Sequence, residues 1–276
     1  MKFSHTLFAL PFALVGYFMA IEFSVHSFEL SLLVKVILCM VFARNAAMAF
    51  NRYIDRNIDA ANERTAAVRE IPKGIIKPKA ALYFVTLNAI LFITVTYFIN
   101  TICFLLAPVA LLIILGYSYT KRFTALCHLI LGLGLALAPI GAYLAVTGNF
   151  AWLPLYLSFA VFFWVAGFDL IYSLQDDQFD KEMNLHSIPS KIGRVNSLRL
   201  SVVFHAFTAF FIIFTAIEAE ASILFWVGTW IFIALLAYQH FLVKPNDLSK
   251  VNIAFFTTNG IASLIFSIFV IASFYV

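Results

Sequence analysis

Charge is scarce in this 276-residue sequence: Asp, Glu, Lys and Arg make up 12% of it, hydrophobic residues 63%, and the mean hydropathy is +0.96. That balance excludes a soluble globular domain and places the chain among membrane proteins. Cysteine is rarer still. Cys39, Cys103 and Cys127 are the only three and form no CxxC pair, which argues against a disulfide scaffold or a thiolate metal site. Acid is scarcer than base, 14 residues against 18; the formal +4 calls for no nucleic acid, because basic residues in a membrane protein first report topology. The opening MKFSHTLFALPFALVGYFMA shows no small-residue cleavage motif, and similar stretches recur to Val276. It reads as a first span, not a signal peptide.

What the sequence has in plenty is apolar runs. Those long enough for a membrane helix, roughly 20 residues, fall at about 5–22, 30–50, 80–99, 101–118, 125–147, 151–172, 198–217, 221–243 and 252–275. They predict an all-α polytopic membrane bundle of nine transmembrane helices forming one domain over 1–276. Basic residues cluster after every second run: Arg52, Arg56, Arg64, Arg69, Lys73 and Lys77; then Lys121 and Arg122; then Lys181, Lys191, Arg194 and Arg199; then Lys244 and Lys250. The alternate connections have none, so the amino terminus is expected in the cytoplasm and Val276 outside.

Two acid-bearing stretches interrupt this pattern on the same predicted face, NRYIDRNID from Asn51 and DLIYSLQDDQFD from Asp169. Asn51, Asp55 and Asp59 recur every four residues; Asp169, Tyr172, Asp176 and Asp180 follow at three, four and four. If each helix continues beyond the hydrocarbon, these side chains share a face. Like charges so spaced repel and call for a cation. Mg2+ fits, since it takes hard oxygen ligands and is often held by one or two carboxylates plus substrate phosphates. Asp176 and Asp180 repeat Asp55 and Asp59 after 121 residues, each pair following the second helix of a four-helix unit. The chain thus reads as pseudo-repeats of about 1–118 and 119–243 plus an extra helix at about 252–275. A solvated helix end would account for one such pair, and Asp177, Glu63, Glu70 and Glu182 read as solvated residues of that kind. An ion-coupled transporter is the rival from another class, because membrane carboxylates often mark ion routes. Here the acids lie at the interface and not in mid-span, which favours a reaction site.

These stretches resemble the two aspartate-rich signatures of the UbiA superfamily of intramembrane aromatic prenyltransferases. The neighbouring Arg64-Thr65, Arg69 with Pro72 and Gly74, the basic loop Tyr119-Thr-Lys121-Arg122-Phe-Thr124, Gly132, Pro139 and Ser187-Ile-Pro189 fit as well. Within that superfamily the chain is similar to bacterial 4-hydroxybenzoate polyprenyltransferase-like enzymes, and Phe3 to Pro11 resembles a sub-branch associated with menaquinone. The resemblance implies Mg2+-dependent transfer of a polyprenyl chain from its diphosphate to an aromatic carboxylic acid such as 4-hydroxybenzoate, in quinone biosynthesis at the cytoplasmic face of the bacterial inner membrane. Dihydroxynaphthoate or another lipid-pathway acceptor is the alternative. It further implies that Asp55, Asp59, Asp176 and Asp180, with Asn51, hold the metal, and that Arg69, Lys121 and Arg122 neutralise phosphate oxygens. Arg44, seven residues before Asn51, suits the acceptor's carboxylate through a bidentate pair, with snorkelling or a pairing to Asp169 as the alternatives. Asp169 and Tyr172 are expected to orient the acceptor or stabilise positive charge on carbon. Arg52 departs from the signature, which often has an acid there. Segments 60–78 and 181–196 are expected to form cytoplasmic cap loops, and His5 and His128 to be packed polar groups.

Overall fold

A computed structural model describes residues 8–276; His5 and the start of the Phe3 to Pro11 string lie outside them. Among the described residues all regular structure is helical, apart from an isolated backbone bridge between Lys244 and Asp247. The helices are α1 (Leu10–Glu22), α2 (Leu30–Ile54), α3 (Arg56–Ala61), α4 (Glu63–Ala66), α5 (Pro78–Tyr97), α6 (Thr101–Thr120), α7 (Cys127–Thr147), α8 (Trp152–Ser173), α9 (Asp177–Glu182), α10 (Ile188–Glu218), α11 (Ile223–Leu242) and α12 (Asn259–Ser273). A π-helical turn, Ile253–Thr258, leads into α12. Among the described residues eight helices are long and apolar enough to cross a bilayer, so the chain is a polytopic membrane bundle. The first predicted span is represented by the 13 residues of α1.

Local sequence explains where several elements begin and end. Pro78 opens α5, where its missing N–H costs no helical bond. Ser187 and Ser190 form a reciprocal capping box at the start of α10, with Pro189 in its first turn. This corrects the expected cap over 181–196: helix begins at Ile188, ten residues before the predicted span, and Gly193 at φ 76° kinks it. Neither acid-bearing helix continues as one straight rod. α2 breaks at Asp55 and resumes as α3, whereas α8 passes through a 3-10 turn, Leu174–Asp176, into α9.

Packing divides the bundle unequally. α8 lies between α7 and α10; α1 packs on α7, and α11 on α12. The interior of this part is filled by Phe12, Tyr17, Trp164, Phe168, Phe232 and Phe266, all fully buried. Two glycines allow close backbone approach. A Cβ on Gly132 of α7 would stand 2.5 Å from the Phe162 carbonyl oxygen of α8, and one on Gly16 of α1 would stand 2.1 Å from that of Pro139. Small residues at helix contacts are how membrane helices gain dispersion contact where lipid supplies no hydrophobic drive. By contrast α2, α5 and α6 bury few side chains, because much of their inner surface borders a cavity. Outward-facing Leu112 and Phe241 are more than 70% exposed, as expected where hydrocarbon and not water is the solvent.

The π turn serves the cavity too. Its irregular carbonyls are satisfied by Asn259, whose side-chain amide donates to the oxygens of Ala254 (2.9 Å) and Phe255 (3.1 Å) and accepts from the Trp164 indole (2.8 Å). Phe255 is thereby held with its ring centroid 4.1 Å from that of Tyr172.

Candidate active site

A cavity of about 700 Å³ runs between the sparsely packed α2–α5–α6 side and α7–α8. Most of its wall is apolar, reaching Phe92, Ile99 and Leu144 near the end of the bundle away from the acids. At the acid-bearing end the wall contains Asn51, Asp55, Asp169, Tyr172, Asp176 and Asp180. Arg52, Arg69 and Lys121 border the same end, and Arg44 lies deeper on α2. Asp59 and Arg122 reach this mouth from behind, through ion pairs with Arg69 and Asp55.

The breaks after α2 and α8 aim these groups. Asp55 is buried at the junction of α2 and α3. It receives Lys121 Nζ at 3.0 Å and Arg122 Nη2 at 3.0 Å, while the Asn51 amide donates to Oδ2 at 3.0 Å. Arg122 also donates to the Ile54 carbonyl at 2.9 Å, so the basic loop after α6 is fastened onto the end of α2. Asp59 is buried and paired with Arg69; its Oδ2 has no hydrogen-bond partner among the described residues. Burying an ionised carboxylate is costly unless it is paired; these cations meet that need.

The segment that follows the first acid stretch is joined directly to the second. Arg64 of α4 forks onto both carboxylate oxygens of Asp176, and the Asn62 amide donates to Asp176 Oδ1 at 2.9 Å. Arg64 also donates to the Tyr172 hydroxyl at 3.3 Å, with its guanidinium 5.5 Å from the ring centroid. Burial works to lower the Arg64 pKa, but the hydrogen bond and charge of Asp176 outweigh it and leave it raised. The sequence offered Arg64 only as a neighbour of the first signature; its partner lies 112 residues away, a distance that spacing cannot bridge. Asp177, expected at the solvent, is buried and bound bidentately by Arg194 at 2.8 and 2.9 Å. It anchors α9 to α10. Arg52 makes its hydrogen bond to the Asn51 side-chain oxygen at 3.2 Å and forms no ion pair among the described residues.

His128 is a packed, hydrogen-bonded group, as expected from sequence. Its Nδ1 lies 2.7 Å from Asp169 Oδ2, and its Nε2 accepts the Ile188 N–H at 3.4 Å. Among the described residues no three His, Cys, Asp or Glu side chains converge as a ready-made metal centre. The donor chemistry still suits Mg2+: the acids supply hard oxygens, and Asp59 Oδ2 is a buried oxygen with no hydrogen-bond partner among the described residues.

The sequence model of the UbiA prenyltransferase family matches residues 9–261. The chain belongs to the UbiA prenyltransferase family. It is therefore a prenyltransferase, and its aspartate-rich stretches occupy the mouth of the cavity. Curated relatives include 4-hydroxybenzoate octaprenyltransferase of Aliivibrio fischeri, 27% identical over 85% of this chain and 81% of that protein. The enzyme of the same name from Vesicomyosocius okutanii is 26% identical over 86% of each. Among solved structures, the apo UbiA homolog from Aeropyrum pernix K1 superposes with a TM-score of 0.88 at 28% identity, covering 99% of this chain and 98% of that one. A UbiA homolog from Archaeoglobus fulgidus bound to GPP and Mg2+ gives a TM-score of 0.73 at 23% identity, covering 98% and 96%.

Proposed function

We propose that this UbiA-family enzyme transfers a polyprenyl group from its diphosphate to an aromatic carboxylic acid of the 4-hydroxybenzoate type, with Mg2+, in quinone biosynthesis. The observation that carries this reading is the form of the cavity: a long apolar wall ends at facing carboxylates surrounded by Arg and Lys. An isoprenoid tail suits the wall, and a metal-bound diphosphate suits the mouth. The curated relatives named 4-hydroxybenzoate octaprenyltransferase support the acceptor class, and the GPP- and Mg2+-bound Archaeoglobus homolog supports the donor and the metal.

Asp55, Asp59, Asp176 and Asp180, with Asn51, would hold Mg2+, which supplies charge neutralisation on the departing diphosphate. Arg69, Lys121 and Arg122, already poised on those carboxylates, turn to phosphate oxygens. Arg44 pairs with the acceptor's carboxylate; Asp169 and Tyr172 orient its ring. The Arg64 bridge and the Ser187 segment close the mouth, keeping water from the allylic cation. We further assign α1 as a ninth crossing, the two halves as pseudo-repeats of one domain, and the mouth to the cytoplasmic face of the bacterial inner membrane, with the amino terminus inside. The basic loops at the mouth and the base-free connections at the other end support that orientation.

Purified enzyme incubated with Mg2+, prenyl diphosphates of several lengths and a panel of hydroxybenzoates and dihydroxynaphthoates tests the proposal. A prenylated aromatic acid and diphosphate should form, and chelation of Mg2+ should stop turnover. Intact donor with every acceptor would overturn it.

A further inference from the structure

Asp169, an acid of the second stretch, makes no ion pair with Arg or Lys among the described residues; its charged-group partner is His128. Both are in the cavity wall, Asp169 one helical turn before Tyr172. His128 is buried in the first turn of α7 and holds a different element at each ring nitrogen. Nε2 accepts the N–H of Ile188, a first-turn donor of α10 that has no intrahelical acceptor. With Nε2 so engaged, Nδ1 is the nitrogen that carries the proton, and it donates to Asp169 Oδ2 at 2.7 Å. The imidazole is therefore committed on both sides and leaves no lone pair for substrate. Asp169 Oδ1 has no hydrogen-bond partner among the described residues, where Oδ2 is the oxygen bound by His128.

We infer that His128 is a positioning residue that aims Asp169 Oδ1 at the hydroxyl of the aromatic acceptor, and that the docked Ile188 segment fixes the tautomer it needs. A carboxylate accepting the acceptor's O–H enriches the ring in electron density, which is what attack on an allylic carbon requires. The clamp also ties this alignment to the segment that covers the mouth. The His186 N–H donates to the Lys121 carbonyl at 2.7 Å, the Cys127 thiol lies 3.6 Å from the His186 carbonyl, and Ser187 borders the cavity. Undocking that segment removes the Ile188 N–H from Nε2, freeing the imidazole to change tautomer and release Asp169. The inference rests on the proposed acceptor class, and acts on acceptor use alone.

The test compares His128→Phe, His128→Gln, Asp169→Asn and the double variant His128→Phe/Asp169→Asn, measuring acceptor and donor kinetics separately and inhibition by inorganic pyrophosphate. Losing a hydrogen bond to a charged group predicts a fall of about 10- to 100-fold in kcat/KM for the acceptor in His128→Phe. Donor KM and the pyrophosphate inhibition constant should stay within about twofold. His128→Gln, whose amide can still donate to Asp169, should recover much of the loss, and the double variant should be little worse than Asp169→Asn because the two residues act as one unit. Equal damage to donor and acceptor parameters, no benefit from Gln, or multiplicative losses in the double variant would overturn the inference. A wild-type enzyme that prenylates none of the aromatic acids would instead sink the functional proposal, a result distinct from any of these.

Discussion

At the scale of single residues, the site is a set of buried and half-buried acids, most of them matched by basic side chains from elsewhere in the chain. Asp55 draws Lys121 and Arg122 from the loop after α6, Asp59 draws Arg69, and Asp176 draws Arg64 across the two halves. Substituting Asp55 or Asp176 by Asn keeps the volume and removes the charge. Each variant should lose at least about 100-fold in kcat while remaining folded by size-exclusion and thermal melting, as expected when a charge-stabilising group acts mainly in the transition state. Arg44→Ala should raise acceptor KM about tenfold or more with donor KM little changed, which kinetics with each substrate varied in turn would check. The acids themselves were legible because two unusual groups of spaced carboxylates stand out in an apolar chain. Their partners were not. Arg64 and Asp176, or His128 and Asp169, meet only through tertiary packing, and no local periodicity encodes a contact over 112 or 41 residues.

At the scale of helices, the apolar runs were readable to within a few residues, since lipid-facing helices need continuous hydrophobicity. The irregularities were harder to read. The break at Asp55, the 3-10 turn before α9 and the π turn before α12 each lie within sequence that favours helix. Arg122 secures the first and Asn62 and Arg64 the second from far along the chain, whereas Asn259 satisfies the π turn locally and is itself held by Trp164. The early start of α10 was hidden because its first two turns are polar; the Ser187–Ser190 capping box was its local signal. Helix contact yields a paired prediction. Gly132→Ala places a methyl against the Phe162 carbonyl and should separate α7 from α8, costing about 1–3 kcal/mol, as overpacking does. Gly141→Ala meets no atom within 4 Å and should melt like the parent. Thermal denaturation in one detergent checks both; equal melting of the two variants would contradict the close approach.

On the scale of the whole molecule, the uneven packing is the functional feature: a dense half built on α8 supports a wall, and the sparse α2–α5–α6 side leaves room for a long apolar substrate. Gly141 borders that cavity and has space for a side chain. Gly141→Trp should therefore lower kcat/KM for long prenyl diphosphates more than for geranyl diphosphate, a difference read from a chain-length series; a uniform loss would show that the tail does not pass this wall. The ion pairs at the mouth have a final consequence, for the order of events. Asp55, Asp59 and Asp176 start out neutralised by the chain's own cations, so a bare metal ion must displace a Lys or Arg and strand it. A metal that arrives with diphosphate brings the anion those displaced groups require. Loading is thus an exchange of partners: calorimetry should show little heat when MgCl2 is added alone and pronounced binding once pyrophosphate is present.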